Sequence, residues 1–324
     1  MNKRDSAVLV VASLATATVA LVGATSAVIT KVFSKLAFNR AKPKILDKVS
    51  EKLSKSYTES DYFKRSQAAS AKLESLPLER VEITALDGTR LVGHWQVHPE
   101  AKRIILAAHG WRSSWSNDFG VASEFWNENQ CSVLYIEQRG QGQSGGDYMG
   151  FGMTERFDIQ SWISWINQRS GGSLPIYLAG ISMGASTVLM ASGMDLPENV
   201  HGIMADCGFT SAKAIWKHVY EDTMHLPYNS VRAKLMDDIC KNKIRCTSDD
   251  YSTLKAMETN TRPVLFVHGT DDSFVPVTMT YENYKACKAP KRLLIVPGAE
   301  HGLSFLVEEE NYKNAVLSFF RDYD

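Results

Sequence analysis

Cysteine is scarce in the 324-residue chain: there are five, at Cys131, Cys207, Cys240, Cys246 and Cys287. None stands in a C-x-x-C pair or in a Cys/His cluster with zinc spacing, which excludes a disulfide scaffold and a structural zinc site. Cys240 and Cys246 are close enough in sequence to bridge, but the odd total leaves at least one thiol free. Charge of one sign is lacking too. Lys+Arg and Asp+Glu both number 36, so there is no basic excess for general nucleic-acid binding. Internal repeats and low-complexity tracts are absent, and the Arg139-Gly140-Gln141-Gly142 stretch lacks the Gly-Lys-Ser/Thr ending of a phosphate loop. What remains is ordinary globular material, 44% hydrophobic and 22% charged, with length for a substantial core.

One uncharged run stands out near the start. Ala7 to Thr30 carries no charge, follows Lys3 and Arg4, and is long enough to cross a hydrocarbon core of about 30 Å as a helix. Its moderate hydrophobicity and the small residues Thr25-Ser26-Ala27 equally suit a cleaved secretory signal. Residues 1–41 therefore read as a signal or transmembrane segment with a basic flank, and a membrane as a partner. The lysines and arginines after the run place the following chain in the cytoplasm by the positive-inside rule. A signal peptide would place it outside, and the cell surface is the favoured side. Residues 42–79 are polar and lysine-rich, with Ile45, Val49 and Leu53 at helical spacing, as in a stalk or cap helix.

From Arg80 the pattern changes. Val81–Thr84 and Leu91–Val97 alternate around an Asp87-Gly88 turn, predicting a hairpin. Six short apolar runs follow, at Arg103–Ala108, Ser132–Ile136, Pro175–Ala179, Gly202–Ala205, Pro263–Val267 and Arg292–Val296, with helical stretches between them. That alternation predicts an α/β fold, a mostly parallel sheet with helices on both faces. Residues 208–254 break the rhythm with helix-like pieces and aromatic residues, as a lid over the carboxyl ends of the strands would.

The sharpest chemical signal is Gly180-Ile181-Ser182-Met183-Gly184, set between an apolar strand and a helix. Small residues two before and two after Ser182 let the backbone turn sharply enough to present the hydroxyl at the tip. A serine nucleophile needs a base and the base an orienting acid. His301, on a loop after the last apolar run, suits the base. Asp272 suits the acid, with Asp271 as its rival and the natural turn residue. Backbone N–H donors for an oxyanion are expected from Met183 and from Trp111, in the loop His109-Gly110-Trp111-Arg112. His109, His268, His94, His98, His201, His218 and His225 need no catalytic role.

Taken together, His109-Gly110, Arg139-Gly140-Gln141-Gly142-Gln143-Ser144, the serine pentapeptide, His268-Gly269 with Asp272, and Gly298 to Gly302 resemble the α/β-hydrolase superfamily. The likeness covers residues 80–324 and is closest to bacterial esterase and acyl-peptidase-like serine hydrolases. It implies a serine hydrolase without cofactor or metal, cleaving carboxylic esters of small or medium acyl groups through an acyl-enzyme, with no obligate protein partner. Glu137-Gln138 departs from the aspartate that relatives often carry there, in a structural segment. The Asp272 loop also resembles that of prolyl-oligopeptidase relatives, which makes peptide or amide cleavage the alternative. Fewer than 80 residues precede the domain, too few for the propeller those relatives usually carry. A non-catalytic, membrane-anchored protein with a hydrolase fold is the third reading.

Overall fold

The computed structural model describes residues 26–41 and 60–324. Eight strands form one sheet in the order β1-β2-β4-β3-β5-β6-β7-β8. The hairpin β1 (Glu79–Thr84) and β2 (Arg90–Gln96) is antiparallel, and β2 joins β4 (Cys131–Glu137) antiparallel as well. The remaining strands are parallel: β3 (Arg103–Ala108), β5 (Ile176–Ile181), β6 (Val200–Asp206), β7 (Val264–Gly269) and β8 (Lys291–Val296). Each expected apolar run is a strand, and their ends move by no more than about two residues.

The sheet is buried on both faces because its residues alternate between two apolar layers. In β3, Ile104, Leu106 and Ala108 join the layer with Trp95, Ile159 and Trp162, while Ile105 and Ala107 join Phe119, Trp126 and Phe319. Helices Glu155–Ser170 and Met183–Ser192 cover the first face, Trp115–Glu128 and Glu309–Tyr323 the second. Helix Asp61–Glu74, capped by Ser60, lies against Trp115–Glu128.

Between β6 and β7 the chain leaves the sheet to form helices Ala212–His218, Ser230–Ile244 and Thr253–Thr259. Its aromatics form a third apolar cluster. Trp216 and Tyr220 are fully buried there, with Phe151, Met183 and Met190.

Part of that cluster comes from the N-terminal region. Residues 26–38 form a helix that packs Phe33 on Tyr220 and Phe38 on Trp216 and Phe151. The uncharged run expected to enter a membrane lies outside the described residues except for its last five. Those five begin this helix, and Ser26 and Thr30 are buried in it. The stretch read as a basic flank continues this helix, with Phe33, Ala37 and Phe38 buried on one face and lysines 31 and 35 exposed on the other. Among the described residues no helix is long and apolar enough to cross a membrane. The stripe Ile45, Val49 and Leu53 lies outside them. All five cysteines are free thiols.

Candidate active site

The candidate catalytic and oxyanion residues Ser182, Asp272, His301, Trp111 and Met183 are gathered at the carboxyl ends of the strands, where an open parallel sheet leaves a crevice. Ser182 sits between β5 and the helix Met183–Ser192 at φ +55° and ψ −118°, a conformation a side chain rarely adopts. The glycines around it explain how the turn closes. A Cβ on Gly184 would lie 1.8 Å from the Ala108 carbonyl oxygen, and one on Gly180 2.3 Å from the Gly184 backbone. Only glycine fits either place. The Ser182 N–H donates to the Asp206 carbonyl at 2.9 Å, which pins the turn to β6.

His301 Nε2 lies 2.9 Å from Ser182 Oγ, and His301 Nδ1 lies 2.6 Å from Asp272 Oδ2. With Nδ1 donating to the carboxylate, Nε2 is free to accept the serine proton. Asp272 is buried and held by four donors. Phe274 and Val275 N–H groups donate to Oδ1 at 2.9 and 2.8 Å, and His268 Nε2 approaches Oδ2 at 3.1 Å beside His301. Burial alone would raise this carboxyl, but the bonds from His268 and His301 outweigh it and hold Asp272 well below the usual carboxylate range. Asp271 is exposed and bonded to Thr270, as befits a turn residue.

The loop after β3 supplies the second wall. Gly110 packs so closely that a Cβ there would lie 3.3 Å from the Ser182 Cβ. The Gly110 N–H donates to Asp118 Oδ2 at 2.6 Å, the Gly110 carbonyl lies 2.8 Å from His109 Nδ1, and the Arg112 N–H donates to Gln141 Oε1 at 2.5 Å. Among the described residues, the Trp111 N–H between them has no protein acceptor. Nor has that of Met183, the first residue of its helix. His109 is itself fixed. Gln138 N–H donates to its Nε2 at 3.2 Å, and Thr187 Oγ1 donates to Gln138 Oε1 at 3.0 Å.

Three features escaped sequence reading. Asp118 is an unremarkable helix residue until the fold turns it onto Gly110. His268 follows a strand as structural histidines do, yet it touches the Asp272 carboxylate. Cys207, which no motif marks, brings its sulfur within 4.8 Å of ligand atoms of Asp272 and His301. That trio has the donor types of a metal site. The carboxylate and imidazole are already bonded to each other, however, and burial pushes the thiol well above its ordinary range, keeping it protonated.

A cavity of about 230 Å³ opens onto Ser182, lined by Trp111, Val121, Phe274, Leu303 and Leu306 with Ser113 and Asn117. No aromatic residue of the 208–254 insertion lines it. Those side chains hold the insertion together.

Residues 99–218 match the sequence profile of a family described as "Serine aminopeptidase, S33". The chain is similar to the uncharacterized protein YqkD of Bacillus subtilis, 26% identical over 72% of this chain and 75% of that one. It is also similar to the uncharacterized protein YfhR of Escherichia coli K12, 28% identical over 69% and 73%. Among solved structures, the Pyrococcus furiosus esterase Pf2001 superposes with a TM-score of 0.63 at 21% identity, covering 78% of this chain and 93% of that one. Est1E from Butyrivibrio proteoclasticus, with ferulic acid bound, gives 0.59 at 19%, covering 75% and 98%. By its strand order, its serine turn and these likenesses, the chain has the fold of the α/β-hydrolase superfamily.

Proposed function

We propose that this protein is a serine hydrolase acting on carboxylic esters of small or medium acyl groups. The observation that carries the reading is the continuous chain from Ser182 Oγ through His301 to Asp272, at 2.9 and 2.6 Å. His301 Nε2 takes the Ser182 proton as Oγ attacks the ester carbonyl, and the Met183 and Trp111 N–H groups receive the oxyanion. The imidazolium returns the proton to the departing alcohol, leaving an acyl-serine. Water, deprotonated by His301, then releases the acid and restores the hydroxyl. Asp272 stays anionic throughout and holds the imidazole tautomer. The apolar side of the cavity, Val121, Leu303 and Leu306, suits an acyl chain.

A second reading, cleavage of peptide or amide bonds, is favoured by the description of the matched family profile. The same machinery serves it, with an amine as leaving group. Matched ester and anilide substrates with a common acyl group separate the two readings. A kcat/KM for the anilide equal to or above that for the ester would overturn the first. Labelling of Ser182 by a fluorophosphonate tests both, and absence of labelling in the wild-type chain returns the non-catalytic alternative. Membrane attachment or export through the N-terminal segment, residues 1–41, stands as a further proposal, checked by fractionating cells that express the full chain.

A further inference from the structure

A second cavity, of about 310 Å³, lies on the other side of the Trp111 loop and shares Ser113 with the catalytic one. It is lined by Arg40, Arg112, Gln141, Gly140, Gly142 and Met149, with no carboxylate among them. Arg112 is half-buried and stacked on the Trp111 ring. Its guanidinium donates to the Leu36 and Asn39 carbonyls, and that of Arg40 to the Ser144, Gly142 and Gly146 carbonyls. Those acceptors are neutral, and Arg112 Nη1 and Arg40 Nε take none among the described residues.

Two more cations stand near. Lys243 donates to Asn39 Oδ1 at 2.8 Å, and burial, then the Lys35 charge, holds its ammonium below the usual range. Among the described residues, none of these four cations has a carboxylate partner. A buried donor adds to the excess. Gln141 is 6% exposed, its Oε1 is taken by the Arg112 N–H, and its Nε2 finds no acceptor. Asp118, the carboxylate bonded to Ser113, is already engaged by Gly110 and Asn117. Arg112 and Lys243 are half-buried while Arg40 and Lys35 are exposed. Positive charge drawn even partly out of water without a counter-ion is costly, and guanidinium groups match phosphate oxygens in geometry.

We propose that this cavity is an anion subsite that takes a phosphate group carried by the ester substrate. The substrate class is then an acyl ester with a phosphate on its polar part, and the specificity residues are Arg40 and Arg112. This rests on the ester-hydrolase reading, because Ser113 joins the subsite to the Ser182 cavity.

The test uses the full chain and two kinds of readout. The first compares kcat/KM for 1-hexanoyl-glycerol 3-phosphate and for 1-hexanoyl-glycerol. The phosphate ester should be preferred at least tenfold, Arg40→Gln should reduce that ratio about tenfold, and Arg40→Lys should restore part of it. The second measures direct binding, by calorimetry with inorganic phosphate and by sedimentation with vesicles holding phosphatidic acid. Binding of inorganic phosphate, weakened in Arg40→Gln, assigns the site to a free or substrate phosphate. Binding of the vesicles alone, with the same weakening, assigns it to a lipid headgroup. Phosphate binding in a protein that cleaves neither ester and takes no fluorophosphonate label keeps the subsite and overturns the hydrolase reading. Equal kcat/KM for the two esters, with no phosphate or vesicle binding by wild type, overturns the subsite.

Discussion

The Asp118 carboxylate accepts the Gly110 N–H at 2.6 Å and so sets the loop that faces Ser182. Its other oxygen takes Ser113 and Asn117, so one side chain ties the loop to the start of helix Trp115–Glu128. Asp118→Ala releases Gly110 and Ser113 together. Displacing an oxyanion donor by about 1 Å costs on the order of a hundredfold in rate. The expected outcome is a fall of ten- to a hundredfold in kcat with a smaller change in KM, and a fold retained by circular dichroism. Steady-state kinetics on a p-nitrophenyl ester checks it.

Ser182→Ala should remove several orders of magnitude of turnover. The folded state should persist, because alanine only removes the hydroxyl at φ +55° and the Ser182 N–H bond to the Asp206 carbonyl does not involve the side chain. Hydrolysis of a p-nitrophenyl ester at wild-type rate by this variant would sink the proposed function.

Asp272→Asn should be more damaging than an isosteric change suggests. All four neighbours of the carboxylate, Phe274 N–H, Val275 N–H, His268 and His301, present donors. An amide must turn its NH₂ toward two of them, whichever way it flips. If it faces His301, the imidazole takes the wrong tautomer, which costs about 10⁴ in kcat. The measurement is kcat beside the thermal midpoint, and both should fall.

Asp206 gives a pH dependence. Burial, opposed by His268 and by the Ser304 hydroxyl, raises its carboxyl to about 6. A raised acid favours the folded state most when protonated, so its contribution is complete below the unfolded value near 4 and is lost as pH rises through 6. Over that window the two-unit shift corresponds to roughly 3 kcal/mol. Asp206→Asn should therefore lose less stability than wild type between pH 4 and pH 7.5. Denaturant unfolding at the two pH values is the check, and parallel loss in both proteins would refute the assignment.

Much of the sheet and the three central residues were legible in the sequence because each rests on a local signal. Short apolar runs mark buried strands, the Gly180–Gly184 pentapeptide marks a turn only glycine can make, and His301 and Asp272 each follow a strand end. Asp272 could be told from Asp271 by its spacing from His268, and burial of the one and exposure of the other agree. Asp118 and His268 were not legible, since their roles depend on which group the fold turns toward them, the Gly110 N–H for one and the Asp272 carboxylate for the other. The helix over 26–38 was hidden for another reason. Its Phe33 and Phe38 stand among the lysines of what reads as a basic flank until Trp216 and Tyr220, almost two hundred residues away, supply their partners.

That helix bears on how the protein can be shortened. The Trp111 indole donates to the Ala37 carbonyl at 2.9 Å and Arg112 to that of Leu36, so the loop beside Ser182 closes off the helix's carboxyl end. A recombinant version that discards the first forty residues to gain solubility would strip aromatic cover from Trp216 and Tyr220 and leave Trp111 without its brace. Expression boundaries belong upstream of Ser26.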